Sequence, residues 1–347
     1  RALKIAYVLP HKNLTGGVKT LLQQLEQLQK FGHEVTVVYE GHEGEQVLPP
    51  WSTFTPDNAV VVRDDRELTG RLRNCDVVMA GWFTQLPKLA EIGVPVLYWE
   101  KGHEWLFGDM PNRSVATKIR QYLAQCYAVP CEIVSVSSVV ADLLKVRYGR
   151  ETSVVPDGID LMKHFPEANK PVRELKTVLL VGHPGLRFKG FDVALESLKK
   201  VWQSGLRFNV RWVCQVQPDL RDVPFPVEPI VSPPQDELPK LYREADIHLF
   251  TSWYEGFGMP PLEAMASGVA VVATDFGGGA EYLVPGENAL VADPGDFDSL
   301  AAGVAYLLED DEARAYLSRE GRKTAEKFDL VSIAELLEQH LLRVAQN

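Results

Sequence analysis

The sequence has few cysteines, no long apolar run and a deficit of positive charge. Its four cysteines form no CxxC pair and no zinc-type spacing, which predicts reduced thiols rather than a disulfide or metal framework. No apolar run approaches the roughly 20 residues that a membrane-spanning helix needs. Lys and Arg number 36 against 47 Asp and Glu, so the net charge is −11. Nucleic acid is therefore not expected as a partner, because clustered basic residues supply affinity for phosphate backbones.

Short β-branched runs alternate with amphipathic segments along the whole chain of 347 residues. Residues 3–9 form an apolar run of strand length, and apolar residues at helical spacing follow Gly16 and Gly17. Residues 34–39 have the pattern of a second strand, and a similar series restarts at residues 177–181. We predict an α/β protein with two successive Rossmann-like βαβ domains of buried parallel strands.

The predicted domain boundary lies in a segment without apolar periodicity. Residues 161–176 contain two prolines and are expected to link an N-terminal domain, residues 1–160, to a C-terminal domain, residues 177–347. The last helix, residues 330–347, is expected either to stay with the second domain or to pack back on the first.

Basic residues cluster locally in the first half of an otherwise acidic chain. The cluster comprises Arg113, Lys118, Arg120, Lys145, Arg147 and Arg150. A solvated helix face is the simpler interpretation, and docking to an anionic lipid surface or acceptor is the sharper one. We therefore expect a cytoplasmic protein, with peripheral contact at the inner face of the membrane, through the N-terminal domain, as the alternative.

The most informative segment is SWYEGFGMPPLEAMASG, residues 252–268. Glu255 is predicted in a glycine-containing loop after a strand, and Glu263 one turn into a helix that the two prolines initiate. The free amides of Phe257 and Gly258 at the helix start would suit an anion, and the carboxylates would suit hydroxyls of a neutral group attached to it. The alternative is charge compensation by Glu255 and a surface position for Glu263.

A second segment, GHPGLRFKG at residues 182–190, places Arg187 and Lys189 between a strand and a helix. Cations in such a loop are suited to phosphate, although this glycine spacing matches neither a P-loop nor a dinucleotide fingerprint. Gly16 and Gly17 form another glycine turn at a helix start. The D-x-D sequence Asp296-Phe297-Asp298 precedes a helical pattern, so we interpret it as a helix cap rather than a metal site.

Together these segments resemble the retaining glycosyltransferases of family 4, which have the GT-B fold. EGFGMPPLE, from Glu255 to Glu263, resembles the family's E-x7-E motif. The N-terminal glycine turn, SVSSV at 135–139, VPDGID at 155–160, GGGAE at 277–281 and GENALVADP at 286–294 extend the resemblance along nearly the whole chain, with Asp157 where Asn is more usual. The resemblance implies two Rossmann-like domains facing across a deep cleft.

The resemblance also implies roles at the donor. Lys189 and a basic partner would grip the diphosphate of a nucleotide sugar, and Glu263 would accept hydrogen bonds from the ribose hydroxyls. Glu255 and the backbone of Phe257 and Gly258 would hold the transferred sugar. Gly16 and Gly17 would approach the diphosphate from the first domain, and a loop at residues 230–234 would contact the base.

Two further positions concern a histidine and an arginine of the family. His103, in KGHE, stands where the family often has a histidine close to the reacting sugar; an ordinary loop histidine is the alternative. The family usually has Arg directly after the strand-end glycine, where this chain has His183. Arg187 is expected to replace that arginine from a shifted position, or else diphosphate binding depends more on Lys189.

The implied reaction needs no cofactor. Cations and amides would stabilise the departing diphosphate without a metal, and that phosphate would take the acceptor's proton. The acceptor, a glycan or a lipid-linked sugar, is expected to contact Trp82, Trp99 and Trp105 in the first domain, although ordinary core aromatics are the alternative. We expect a retaining, metal-independent glycosyltransferase that uses a nucleoside-diphosphate sugar in the synthesis of a surface polysaccharide or glycoconjugate.

The same fold leaves other activities open. A sugar phosphorylase would accept inorganic phosphate, and a nucleotide-sugar epimerase would need no acceptor. A protein of a different class, a non-catalytic nucleotide-sugar-binding subunit, would bind the donor without turnover.

Overall fold

The computed structural model describes residues 1–347, which form two compact units. The first unit contains residues 1–158 together with 330–347, and the second contains residues 159–329. Residues 161–176, predicted as a linker, contain no helix or strand and are counted with the second unit.

The first unit is built on a seven-stranded sheet in which every pairing is parallel. Its strands are β1 (Lys4–Leu9), β2 (Glu34–Glu40), β3 (Asn58–Val62), β4 (Val77–Ala80), β5 (Val96–Glu100), β6 (Glu132–Ser135) and β7 (Ser153–Val154). They lie in the order β3-β2-β1-β4-β5-β6-β7, which is a doubly wound, Rossmann-like order. The central strand β4 is buried throughout, and β1 is buried from Ile5 onward, because both faces of the sheet are covered.

Seven helices accompany this sheet. They are α1 (Gly16–Lys30), α2 (Asp65–Leu72), α3 (Leu86–Ala90), α4 (Glu104–Phe107), α5 (Arg113–Tyr127), α6 (Ser138–Tyr148) and, from the end of the chain, α12 (Leu330–Val344). The apolar face of α1 packs against β1 and α12, and Leu25, Leu28 and Leu337 are fully buried there. His33 secures α12, since its Nε2 lies 2.6 Å from a Glu338 carboxylate oxygen.

The second unit repeats the same topology with six parallel strands. These are β8 (Thr177–Val181), β9 (Asn209–Cys214), β10 (Val227–Val231), β11 (Ile247–Phe250), β12 (Ala270–Thr274) and β13 (Leu290–Ala292), in the order β10-β9-β8-β11-β12-β13. Its helices are α7 (Phe191–Gln203), α8 (Leu238–Glu244), α9 (Met259–Ala266), α10 (Phe297–Glu309) and α11 (Asp311–Ala325). No helix in either unit has the combination of length and apolar character needed to cross a membrane.

The sequence patterns did not predict β10 and β13, the two edge strands of the second sheet. Pro229 and Glu228 interrupt the apolar pattern of β10, which is tolerated because an edge strand pairs on one side only. The predicted base-contacting loop at residues 230–234 is therefore corrected, since Ile230 and Val231 end β10 and the loop begins at Ser232.

In each sheet the order in which strands are added reverses between two neighbouring parallel strands. The change falls between β1 and β4 in the first unit and between β8 and β11 in the second. Ligands of open α/β sheets bind at the carboxyl ends of the strands beside this position. The loops that follow β1, β4, β8 and β11 are therefore where functional residues are expected.

Candidate active site

The loop after β8 is pressed against the end of β11. Lys189 ends a short 3₁₀ turn, Arg187–Lys189, and Gly190 follows it with φ +66°. A Cβ atom on Gly190 would lie 2.1 Å from the carbonyl oxygen of Thr251, so only glycine fits. The Thr251 hydroxyl donates to the Gly190 carbonyl oxygen at 2.8 Å. These contacts hold Lys189 at the carboxyl edge of the sheet.

Lys189 and Glu255, predicted from separate loops, are in direct contact. Lys189 Nζ lies 2.6 Å from Glu255 Oε1, and Ser252 Oγ donates to the same oxygen at 3.0 Å. The two charged side chains are 16% and 14% exposed, so solvent still reaches them. Glu255 Oε2 makes no hydrogen bond, which leaves it available as an acceptor.

A second backbone segment fixes the position of Glu255. The Glu255 amide donates to the Phe276 carbonyl at 2.9 Å, and the Gly278 amide donates to the Glu255 carbonyl at 3.1 Å. A Cβ on Gly278 would lie 2.2 Å from the carbonyl oxygen of Gly256. The glycines of GGGAE therefore allow one loop to pack directly on the backbone of the other.

Helix α9 begins immediately after this loop, as the proline pair predicted. Its N-cap is Gly258, with φ +83°, and the Tyr282 hydroxyl donates to the Gly258 carbonyl. The amides of Phe257 and Gly258 donate no hydrogen bond within the protein. Glu263 lies in the helix and is 8% exposed, so the alternative of a surface position for this carboxylate is wrong.

Arg187 and His183 occupy the same loop as Lys189 but differ in their contacts. Arg187 is exposed and makes no side-chain hydrogen bond or ion pair. His183 accepts a hydrogen bond from the Gly185 amide through Nδ1 at 2.9 Å, so it shapes the loop. The expectation that Arg187 supplies the missing family arginine stays a prediction.

In the first unit, Gly16 and Gly17 begin α1 at the carboxyl end of β1. Thr15 caps the helix through its hydroxyl, which accepts from the Val18 amide at 3.4 Å. The amides of Gly16 and Gly17 donate no hydrogen bond within the protein. Two free N–H groups at the start of a 15-residue helix are suited to an anion.

His103 is the N-cap of the short helix α4, and its ring belongs to a series of hydrogen bonds between side chains. Its Nδ1 accepts from the Leu106 amide at 3.1 Å, and its Nε2 lies 2.8 Å from the Tyr127 hydroxyl. Tyr127 in turn donates to the Glu100 carboxylate, which also accepts from Tyr98. Glu100 and Tyr127 are fully buried.

These contacts determine the protonation of His103. Because Nδ1 accepts an amide hydrogen, the single ring proton is on Nε2 and is donated to Tyr127. Burial also lowers the pKa of His103, which keeps the ring neutral, although the nearby Glu100 opposes this. Both ring nitrogens of His103 are thus hydrogen-bonded within the protein.

The sequence did not predict the roles of Glu100 and Tyr127. The one available signal was Glu100 itself, a carboxylate at the end of the apolar strand β5.

The aromatic residues predicted for the acceptor separate into two groups. Trp82 and Trp105 lie around the Phe83 ring, which stacks on His103 at 4.5 Å, and Trp82 is 36% exposed. Trp99 instead belongs to the core, is 3% exposed and donates its indole N–H to the Val155 carbonyl. Trp82 and Trp105 therefore remain the accessible members.

The predicted basic cluster is in part structural. The Arg150 guanidinium donates to the carbonyls of Tyr127, Val129 and Cys131 and so closes the end of α5. Arg113, Lys118 and Arg120 are exposed on α5, a helix without an acidic residue.

The D-x-D sequence is a helix cap, which confirms the prediction. The Asp296 carboxylate accepts from the Ser299 amide at 3.0 Å and from its hydroxyl at 2.7 Å, while Asp298 pairs with Lys200. No group of three or more His, Cys, Asp or Glu side chains in the structure is arranged to hold a metal ion.

Two family descriptions match this chain in separate regions. Residues 14–163 match Glycosyltransferase Family 4, and residues 229–324 match Glycosyl transferases group 1. The first region contains Gly16, Gly17 and His103, and the second contains Glu255 and Glu263.

The curated relatives include bacterial mannosyltransferases. O-antigen chain mannosyltransferase B of Escherichia coli is 41% identical over 95 residues, which is 27% of this chain and 24% of that protein. The MMP alpha-(1->4)-mannosyltransferase of Mycolicibacterium hassiacum is 26% identical over 345 residues, covering 87% of this chain and 80% of that protein. The match thus spans about a quarter of the first relative and four fifths of the second.

Solved structures with the same fold cover nearly the whole chain. Anabaena HepE, determined in complex with UDP and glucose, aligns with a TM-score of 0.79 at 16% identity, over 98% of this chain and 99% of that one. Sucrose-phosphate synthase of Thermosynechococcus elongatus aligns with a TM-score of 0.75 at 16% identity, over 99% of each chain. The two doubly wound sheets are those of the GT-B glycosyltransferase fold.

Proposed function

Because the chain belongs to glycosyltransferase family 4, whose members retain the anomeric configuration, we propose that it transfers a hexose from a nucleoside-diphosphate sugar to a hydroxyl acceptor without a metal. The acceptor is a glycan or a lipid-linked sugar in the synthesis of a surface polysaccharide or glycoconjugate. The mannosyltransferase relatives support a hexose, and the UDP complex of HepE supports UDP as the first carrier to test.

One observation carries the proposal: Lys189 Nζ lies 2.6 Å from Glu255 Oε1 beside β8 and β11, where the strand order of the sheet reverses. The Lys189 ammonium has three N–H groups and gives one to Glu255, so two remain for diphosphate oxygens. Glu255 Oε1 is held by Lys189 and Ser252, and Oε2 is free to accept a sugar hydroxyl. The pair can therefore bind the charged and the neutral parts of the donor together.

Charge development explains why these groups would accelerate the transfer. Cleavage of the sugar–diphosphate bond places negative charge on the departing oxygens, and prepositioned cations and amides bind those oxygens more strongly as the charge grows. Lys189 supplies the cation in the second unit, and Arg187 is a second candidate in the same loop. Glu263 would accept the ribose hydroxyls from the buried face of α9.

In the first unit, the Gly16 and Gly17 amides would donate to the diphosphate, and the departing phosphate would take the acceptor's proton. His103 has both nitrogens occupied and is neutral, so its part is to position the loop beside Trp82 and Trp105 rather than to act as a base. Those two indoles offer apolar faces to an acceptor sugar. The exposed basic face of α5 would allow contact with an anionic membrane surface.

A thermal-shift panel of nucleotide sugars tests donor binding directly. A ligand at 100 times its Kd raises stability by about 2.7 kcal/mol, which is easily measured. We expect UDP-hexoses or GDP-hexoses to stabilise the protein, and free hexoses to have no effect.

Product analysis then tests the reaction. Donor with a glycan acceptor should yield a glycoside with the donor's anomeric configuration and free nucleoside diphosphate. Turnover only with inorganic phosphate, or isomerised donor without an acceptor, would contradict the proposal.

A further inference from the structure

A second buried cation lies beside the glycine turn of the first unit. Lys101 follows β5, and its ammonium pairs with the Asp157 carboxylate and lies 3.3 Å from the Thr20 hydroxyl. The Trp99 ring lies beneath it, 3.2 Å from Nζ to the ring centroid. The Lys101 side chain is 16% exposed and that of Asp157 is 7% exposed.

Lys101 is tied to the start of α1 through two contacts. A Cβ placed on Gly17 would lie 3.6 Å from Lys101 Cγ, so the lysine stem runs along the turn. Thr20, which contacts the ammonium, donates its hydroxyl hydrogen to the Gly16 carbonyl at 2.9 Å. The ammonium therefore adjoins the turn whose Gly16 and Gly17 amides have no partner.

This arrangement also indicates a role for the Asp157 carboxylate, which pairs with the Lys101 ammonium. An ammonium largely removed from water is stabilised by an adjacent carboxylate, and Asp157 supplies that charge. Burial lowers the pKa of Lys101, and Asp157 opposes the shift. Lys101 and Asp157 therefore form a largely buried ion pair in which each charge stabilises the other.

We propose that Lys101 is a second diphosphate-binding cation, presented beside the Gly16–Gly17 turn, and that Asp157 moderates its affinity for the diphosphate. This inference rests on the proposed donor. The ammonium contacts Asp157, Thr20 and the face of the Trp99 ring. The Thr20 contact is long, at 3.3 Å, so a phosphate oxygen beside the two free amides would take the N–H that points to Thr20. The carboxylate holds the ammonium in place and partly offsets its charge.

Opposite charges predict opposite effects of removing each partner. Lys101→Met removes an attraction to the diphosphate, so the Kd for UDP should rise about tenfold, as for the loss of one charge-assisted hydrogen bond. Asp157→Asn removes a repulsion while keeping the side-chain shape, so the Kd should fall about threefold. Both changes should shrink in 0.5 M NaCl because salt screens partly exposed charges.

The experiment is calorimetric titration of UDP, and of GDP if UDP fails to bind, at pH 6.5 and low salt. The same variants are titrated with the matching nucleoside, uridine or guanosine, which lacks the diphosphate and whose Kd should not change. Lys101→Arg should keep the Kd within about threefold because it keeps the charge. Lys88→Met is the matched control: it removes another paired lysine of the first unit, whose Nζ lies 2.7 Å from Asp65 and 3.1 Å from Glu40.

The outcomes separate the alternatives. Weaker diphosphate binding in both Lys101→Met and Asp157→Asn, with equal loss for the nucleoside, would overturn the inference in favour of a structural ion pair. No change in either variant would also overturn it. If Asp157→Asn fails to fold, the contrast between Lys101→Met and Lys101→Arg still decides. Absence of any nucleotide binding by the wild-type chain would count instead against the proposed donor.

Discussion

The two units share a strand order but hold their polar residues in different ways. In the second unit, Lys189 and Glu255 lie at the carboxyl edge of the sheet and are partly exposed to solvent. Lys189 has N–H groups and Glu255 has an oxygen that make no hydrogen bond within the protein. In the first unit, Glu100, Tyr127 and His103 occupy the corresponding edge but satisfy one another inside the protein. The same topology therefore leaves a charged pair open to solvent at the end of β8 and β11, and encloses a polar scaffold beside β5.

Strand order therefore sets where a site can form, while burial decides which side chains can contact a ligand there. A substitution in the second unit should act mainly on binding and rate. One in the scaffold of the first unit should act on stability and on the geometry of the loop after β5.

The largest effect is expected from Lys189→Met. It removes a cation aimed at the departing diphosphate and leaves Glu255 without its charged partner, so kcat/KM should fall by about 10²–10³. Initial-rate measurements with the donor identified by thermal shift provide the test. Lys240→Met, at an exposed lysine of α8, is the control and should leave the rate unchanged; an equal loss there would remove the argument for Lys189.

The second largest effect is expected from Glu263→Ala and His103→Ala, which should change different kinetic constants. Glu263→Ala should raise the donor KM about tenfold with a smaller change in kcat, because it removes ribose binding that is present before and during the transfer. His103→Ala should do the reverse, lowering kcat with little change in donor affinity. Steady-state kinetics and UDP titration distinguish the two; pure loss of donor binding in His103→Ala would refute its assignment.

Packing of the second-unit loops is tested by Gly278→Ala. The added methyl group would meet the Gly256 carbonyl at 2.2 Å, so the free energy of unfolding should fall by about 1–3 kcal/mol and activity should fall with it. Gly70→Ala, at an exposed helical glycine with no atom within 4 Å of the new Cβ, should be neutral or stabilising by up to about 1 kcal/mol. Urea denaturation measures both, and equal responses would contradict the packing argument.

The scaffold of the first unit is tested by Tyr127→Phe. This change removes a donor from the buried Glu100 carboxylate and the acceptor for His103, and should cost about 1–2 kcal/mol of unfolding free energy. Donor affinity should stay the same. Tyr306→Phe, at an exposed tyrosine, is the control and should change stability by less than about 0.5 kcal/mol. A loss of donor binding without loss of stability would show that Tyr127 belongs to the donor site.

The smallest effect is expected from chelation. Lys189 and backbone amides are proposed to stabilise the departing diphosphate, so EDTA should leave the transfer rate unchanged. Loss of turnover that Mn²⁺ or Mg²⁺ restores would contradict metal independence.

The sequence predicted the central strands and the E-x7-E helix with little error. Residues 177–181 were predicted as a strand and form β8, because a buried parallel strand is an apolar run wherever it lies in the sheet. The start of α9 followed from its prolines, which set helical φ at the first turn. Two edge strands were not predicted: Glu228 and Pro229 interrupt the apolar pattern of β10, and β13 is only three residues long.

The sequence suggested candidate site residues but not the contacts between them. Glu255, Glu263 and Lys189 came from motif and loop position, yet nothing in their spacing indicated the ion pair across 66 residues. Glu100 and Tyr127 were missed because a buried polar chain assembles from separate elements and leaves no periodic signal. Trp99 was predicted to contact the acceptor, together with Trp82 and Trp105, but it lies in the core. The sequence could not show this, because an aromatic residue at a strand end looks the same in the sequence whether it faces solvent or core.

The two parallel α/β units, and the residues beside their strand ends, follow from local periodicity and turn chemistry, which depend on neighbouring positions in the chain. Which of those residues pair follows from the fold: Lys189 with Glu255, Lys101 with Asp157, and His103 with Tyr127. Charge compensation and burial depend on distances between elements far apart in the chain, and these distances exist only once the sheets have formed.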